Sequence, residues 1–297
     1  MNLLTTALPE SLAGEAQRAW QHILESAGET LAGKLIKAIA EGPEAPQLPR
    51  ILACSPFVAD LVRRKPQLLL ELVVSGQLQL SLPETEFREE LNRSLACDGA
   101  ELSPLLRRYR ARHMLRIVWR DFCRLADTLE TVRDTSLLAE AVIAEAVTIS
   151  QAELERRHGV PRGRDSGAAQ QLIVLAMGKL GAQELNISSD IDLIFVYPEG
   201  GQTDGPKHAI SNEEFFTKVG RAVISALDQV TAEGFVFRVD MRLRPYGESG
   251  ALVHNFDALE GYYQSQGRDW ERYALIKARP VTGSLQQGAA LAVLLRP

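Results

Sequence analysis

Two aspartates one residue apart, Asp190 and Asp192, stand at the head of an apolar run, IDLIFVY (191–197). In a strand, side chains alternate faces, so Asp190, Asp192, Ile194 and Val196 share one face and Ile191, Leu193, Phe195 and Tyr197 the other. Two carboxylates about 7 Å apart on one face repel each other and lose hydration. A hard divalent cation offsets that, and Mg²⁺ is typically held by one or two carboxylates plus substrate phosphates. A second run, FVFRVDMRLRP (235–245), places Asp240 on a polar face with Val236, Arg238, Arg242 and Arg244. A strand over 235–243 lying beside 190–197 would bring Asp240 next to Asp192. Three carboxylates on two strands can hold two metal ions about 4 Å apart, the geometry of in-line phosphoryl or nucleotidyl displacement.

The phosphate side of such chemistry has a candidate in MGKLGAQEL, twelve residues before Asp190. There a strand-like run meets Gly178, then Lys179, then a short helix. Glycine permits close backbone approach, and a helix N-terminus favours anions. The stretch is not a GxxxxGK[ST] loop. Ser188 and Ser189 either cap a turn or touch phosphate. Each piece alone has a plainer reading: a solvated turn for the aspartate pair, and an ion pair with Arg238 or Arg242 for Asp240. The three in this order and spacing favour the metal reading. Arg268, Arg272, Lys277 and Arg279, on an expected helix with Trp270 and Tyr273, form either a solvated face or a phosphate- or partner-contacting one. The five histidines show no zinc spacing, and no GxSxG occurs.

Those residues need elements to hold them. The first half reads as helix: 12–40, then a Pro-rich break (42–50), then 56–75, 84–96, a loosely amphipathic 103–130, and 137–159 ended by Gly159. Residues 160–170 read as loop. Strand-like runs follow at 171–177, 191–197 and 235–243, with a helix after Ser211, where Ser211 and Glu214 make a capping-box pattern. Helix returns after 255. The expected fold class is α+β, mostly helical: a helical N-terminal region (1–160), a small mixed-sheet core with flanking helices (168–254), and a helical segment (255–297). The helical pattern still runs at Pro297 without capping residues, which reads as a truncated gene or a fragment.

Composition excludes several classes. The 297 residues are 45% hydrophobic and 24% charged, enough for a proper core. A net charge of -5 argues against broad nucleic-acid binding. No run approaches the length of a membrane helix, and the N-terminal stretch has no signal-peptide pattern. Cys54, Cys97 and Cys123 form no CxxC pair and read as buried free thiols in a reducing cytoplasm.

Three segments, GKLGAQELNISSDIDLIFVYPE, RVDMRLRPYGESGALV and YYQSQGRDWERYALIKARPVTG, resemble the glutamine synthetase adenylyltransferases, whose catalytic domains are polymerase-β-like nucleotidyltransferases. RRYRARHMLRIVWRDFCRLAD (107–127) resembles the helix upstream of that family's core. The resemblance extends from about residue 50. It implies a polymerase-β-like mixed sheet, metal-binding and catalytic roles for Asp190, Asp192 and Asp240, and two Mg²⁺ ions, with Mn²⁺ as the alternative. Lys179, Arg242 and Arg244, with Gly178, Ser188 and Ser189, are the expected nucleotide or phosphate contacts. In the family one domain attaches AMP to a tyrosine of glutamine synthetase from ATP, and an N-terminal copy removes it by phosphorolysis to ADP. The wording SSDIDLIF and VDMRLRP resembles the removing copy. Expected partners are glutamine synthetase, phosphate, ADP or ATP, and a PII-type signalling protein of the family's regulatory circuit, with no nucleic acid and no membrane. The alternatives are ATP-dependent attachment and a non-catalytic fragment that binds glutamine synthetase or the PII-type protein.

Overall fold

The computed structural model describes residues 8–98, 101–205 and 208–295, with the side chains of Cys97 and Asp98 outside that description. The readings made on the first seven residues, on Pro297 and on the Cys97 thiol therefore lie outside the described residues. The chain divides into two compact units, Met1–Glu86 with Arg108–Thr135, and Phe87–Arg107 with Ser136–Pro297.

In the first unit, α1 (Glu10–Glu41) buries Ala16, Trp20, Ile23, Leu35 and Ile39 and kinks at Gly28. It packs on α2 (Leu48–Cys54), α3 (Pro56–Arg64) and α4 (Pro66–Val74). The sequence predicts one helix over 56–75. Pro66 splits it, because a residue before proline is pushed out of the helical region, and Lys65 sits at φ -137°, ψ 62°. After α5 (Glu86–Asp98) come α6 (Leu102–Phe122) and α7 (Thr128–His158), where the sequence suggests a single helix to residue 130. Arg124 adopts a left-handed conformation, and the Asp127 carboxylate accepts the Glu130 N–H at 2.7 Å, which starts the next helix.

The loose amphipathic pattern of α6 also has a cause. Arg116 and Arg120 are buried. Arg116 pairs with Asp134 at 2.8 Å and donates to the carbonyls of Gln77 and Leu80. Arg120 bonds Glu130 and the carbonyls of Leu78 and Leu125. Guanidiniums with several donors satisfied can sit where periodicity calls for apolar groups. The cysteine reading needs correction: Cys54 is an exposed free thiol, while Cys123 is half-buried and pushed by burial up to about 11.

The second unit holds the strands β1 (Pro161–Gly163), β2 (Ile173–Ala176), β3 (Ile191–Tyr197), β4 (Gly201–Thr203), β5 (Val239–Asp240), β6 (Val253–Asn255) and β7 (Arg279–Pro280). Besides α5 from Phe87 on, the start of α6 and the part of α7 from Ser136 on, its helices are α8 (Gly178–Gly181), α9 (Asn212–Asp228), α10 (Phe256–Ser265), α11 (Asp269–Ala274) and α12 (Leu285–Leu294). Residues 161–163, expected as loop, pair antiparallel with β4. The larger sheet is mixed and runs β5-β3-β2-β7, with β6 also on β3. β3 is central, antiparallel to β2 and parallel to β5 at its start and to β6 at its end.

One face of β3 packs Ile194 and Val196 with Ile173, Leu175, Leu259 and Leu291. On the other, Phe195 lies against Gly220 of α9, and Tyr197 stacks on Phe216 at 4.8 Å. Each such fully buried side chain contributes about 1.5–3 kcal/mol. Ser211 caps α9 through the Glu214 N–H at 3.1 Å. The mostly helical α+β class expected from the sequence is the observed one. Among the described residues no helix is long and apolar enough to cross a membrane.

Candidate active site

The parallel register of β3 and β5 sets Asp192 directly opposite Asp240. The strand predicted over 235–243 is only two residues long. Before it, the N–H groups of Val236 and Phe237 donate to the Leu227 carbonyl at the end of α9, and both side chains are buried. After it, the Asp240 carboxylate accepts the Arg242 N–H at 2.8 Å, a side-chain-closed turn that ends the ladder. The expected alternation across 235–243 is therefore absent, and only the register at Asp240 survives. Val239 is tied to Asp228 of α9 at 3.2 Å, and the Ile191 N–H to the Arg238 carbonyl at 2.9 Å.

Gly178 lies under the Asp192 carboxylate. Its φ is +54°, and a Cβ there would come within 2.7 Å of Asp192 Oδ2. Both facts require glycine. The anion-favouring helix N-terminus expected here is a single four-residue turn, α8, which carries little aligned dipole. The main-chain Met177 N–H donates to the Asp192 carbonyl at 2.9 Å and fixes the junction. Arg279 holds the far side of α8 through the carbonyls of Gly181 (3.0 Å) and Leu180 (3.2 Å), and also pairs with Glu140.

The three aspartates differ in their partners. Asp192 is half-buried, and its side chain has no hydrogen bond or ion pair among the described residues. Burial first, then the neighbouring Asp240 and Asp190 charges, push its pKa above the ordinary carboxylate value, with Arg242 and Lys179 pulling the other way. Asp240 is gripped by the Arg242 guanidinium, with Nε at 2.8 Å and Nη2 at 2.5 Å from Oδ2, which holds its pKa below the ordinary value. Asp190 precedes the strand proper and pairs with Arg238, whose Nη2 also donates to the Ser188 carbonyl at 2.8 Å. Of the two counter-ions weighed for Asp240, Arg242 is the one found.

The other predicted contacts have varied engagements. Lys179 is exposed and reaches Ser189 Oγ at 3.3 Å, and Ser189 in turn donates to Asn186 Oδ1 at 2.7 Å. Ser188 is exposed. Arg244 is turned onto its own loop, donating to the carbonyls of Met241 (2.8 Å) and Glu248 (3.2 Å). Arg268, Arg272, Lys277 and Arg279 do not share a helix: only Arg272 lies within α11, Arg268 caps it, Lys277 is in a 3-10 turn paired with Glu184, and Arg279 is in β7. Arg238 as a partner of Asp190 escaped the sequence reading. The only signal for it was its two-residue spacing from Asp240. Arg279 as the brace of α8 has no local signal at all.

A metal is not part of the structure, so its fit rests on the donors. Asp192 supplies a half-buried carboxylate without a direct ion pair among the described residues, and Asp190 and Asp240 are hard oxygen donors beside it, the type Mg²⁺ takes. Among the described residues no three His, Cys, Asp or Glu side chains form a group that could hold a metal ion as they stand, and the outer two aspartates are paired with arginines. By donor type these carboxylates would suit a divalent cation.

These features define a mostly helical α+β protein with an acidic centre built across two parallel strands of a small mixed sheet. Residues 45–293 match the family model of glutamate-ammonia ligase adenylyltransferase, and the chain belongs to that family. It is 50% identical over 286 residues to the bifunctional glutamine synthetase adenylyltransferase/adenylyl-removing enzyme of Pseudomonas syringae pv. tomato, covering 95% of this chain and 29% of that protein. The same-named protein of Pseudomonas aeruginosa is 50% identical over 294 residues, 98% of this chain and 30% of its own length. That of Hahella chejuensis is 46% identical over 293 residues, 97% and 29% respectively. The chain thus spans about three tenths of the length of these relatives.

Proposed function

We propose that this chain removes AMP from the adenylylated tyrosine of glutamine synthetase by phosphorolysis, yielding ADP. The observation that carries nucleotidyl transfer is the register of Asp192 opposite Asp240, with Gly178 at the Asp192 carboxylate. The direction, removal rather than attachment, is supported by the likeness of SSDIDLIF and VDMRLRP to the removing copy in the family. In this reading 168–254 is the catalytic core, flanked by the helical regions 1–160 and 255–297. Asp190, Asp192 and Asp240 would hold Mg²⁺, or Mn²⁺ in its place. When bound, the ion supplies charge neutralisation at the phosphoryl oxygens.

A phosphate oxygen attacks the α-phosphorus in line and the bond to the tyrosine oxygen breaks. The proton of the attacking hydrogen phosphate ends on that oxygen, so tyrosine and ADP leave with atoms and charge balanced. Lys179, exposed beside Ser189, contributes a positive charge for the phosphate oxygens. Gly178 keeps the backbone low enough for Asp192 to face the reacting group. Positioning and charge stabilisation account for most of such catalysis.

The test is ADP release from adenylylated glutamine synthetase by the purified chain, with and without inorganic phosphate, in Mg²⁺. Release that needs phosphate and is lost in Asp192→Asn supports the proposal. Transfer of label from ATP onto unmodified glutamine synthetase, without phosphate-dependent release, would replace it with attachment.

A further inference from the structure

We propose that Arg238 and Arg242 are displaceable counter-ions that hold the acidic centre closed until a cation takes their place. This rests on reading the aspartates as a metal site. The charges of Asp240 and Asp190 both act on Asp192 at the start of β3, and two guanidiniums answer those neighbours: Arg238 on Asp190 and Arg242 on Asp240. Asp192 alone has no direct ion pair among the described residues, only the more distant charges of Arg242 and Lys179. A divalent ion held by Asp192 and one neighbour would therefore compete with an arginine for that neighbour's carboxylate.

The geometry allows that exchange at small cost. The Arg242 side chain is 72% exposed and that of Arg238 is 53% exposed, so each guanidinium can return to water. Asp240 is different: its side chain is only 16% exposed, and the main-chain Arg242 N–H holds Oδ1 at 2.8 Å. The carboxylate thus keeps its orientation when the guanidinium swings off. Asp190 is freed in the same way when Arg238 leaves, and the Arg238 Nη2 bond to the Ser188 carbonyl breaks with it. A released arginine stays within two residues of Asp240, placed to meet the phosphate oxygens that the cation brings in. The same side chains then serve the centre in both states, first as stand-in cations and afterwards as anion contacts.

Competition gives a direct test. Mn²⁺ binding to the full chain at neutral pH is followed by the electron paramagnetic resonance signal of the free ion, for wild type, Arg238→Gln, Arg242→Gln and Asp192→Asn. Each arginine variant is expected to bind Mn²⁺ at least three-fold more tightly, with the larger gain in Arg242→Gln because Asp240 is the registered partner of Asp192. Binding is expected to be lost in Asp192→Asn. Asp192-dependent binding that is unchanged or weaker in both arginine variants overturns the inference and leaves the metal-site reading standing. No Asp192-dependent binding in any protein overturns both. Thermal melts verify each fold, and if one arginine variant fails to fold the other decides the question alone.

Discussion

Replacing Asp192 by asparagine should stabilise the metal-free protein while abolishing its chemistry. Registered partners on neighbouring strands are about 4.8 Å apart, and at about 5 Å two unit charges repel by about 0.8 kcal/mol in water and about 3 kcal/mol at an effective dielectric constant near 20. Asp192 is half-buried, and Arg242 neutralises much of the field of Asp240, so the lower part of that range applies. The amide has the same shape, and the carboxylate forms no hydrogen bond among the described residues that would be lost. A gain of about 1 kcal/mol follows, or a melting temperature higher by roughly 2–4 °C for a unit of this size.

The pH dependence has a definite sign. The folded pKa of Asp192 is raised, so the folded state binds this proton more tightly than the unfolded one. The penalty is therefore full above the folded pKa and fades as the pH falls toward the ordinary carboxylate value of about 4. The advantage of the variant should be present at pH 7 and shrink in acid. Mg²⁺ should reverse the order, because only the wild type gains binding free energy, about 2.7 kcal/mol at a hundred times its dissociation constant. The assay is differential scanning calorimetry at pH 7 in a chelator and in excess Mg²⁺. A variant that melts at or below the wild type in chelator would refute the picture of a half-buried carboxylate repelled by its neighbours.

Gly178→Ala should cost about 1–2 kcal/mol from its positive φ alone, and turnover should fall on the order of 100-fold as the Cβ displaces Asp192; a normal melt with full ADP release would contradict the observed contact. His254, on β6, is depressed chiefly by burial, with Arg244 adding to the effect. Above about pH 6.5 neither state carries that proton, and below it the unfolded chain takes it up first, so stability declines as the pH falls. His254→Gln should make the loss of melting temperature between pH 7 and 5.5 shallower, and parallel curves would remove His254 from that dependence.

Much of the site was legible because its first half is local. The period of two placed Asp192 on a face with Ile194 and Val196, the apolar length of 191–197 marked a central strand, and Ser211 announced the start of α9. Proline and capping signals were present too, yet Pro66 and Asp127 were outweighed by the longer apolar pattern around them. The class α+β, mostly helical, followed from the alternation of such segments.

Non-local partners had to be found in three dimensions. Nothing in FVFRVDMRL (235–243) says that α9 takes the N–H groups of Val236 and Phe237, which shortens the strand to Val239–Asp240. Alternation gives each side chain a face but not a neighbour, so the choice of Arg242 for Asp240 and Arg238 for Asp190 waited on the fold. The same holds for Gly178: its sequence position suggests a tight turn, and only the pairing of β2 with β3 brings the Asp192 carboxylate over it. The sequence alone determined which residues could do chemistry and on which local faces they stand. The tertiary structure decided which of them meet, because contacts between strands are set by register and by competing hydrogen-bond partners that no local pattern records.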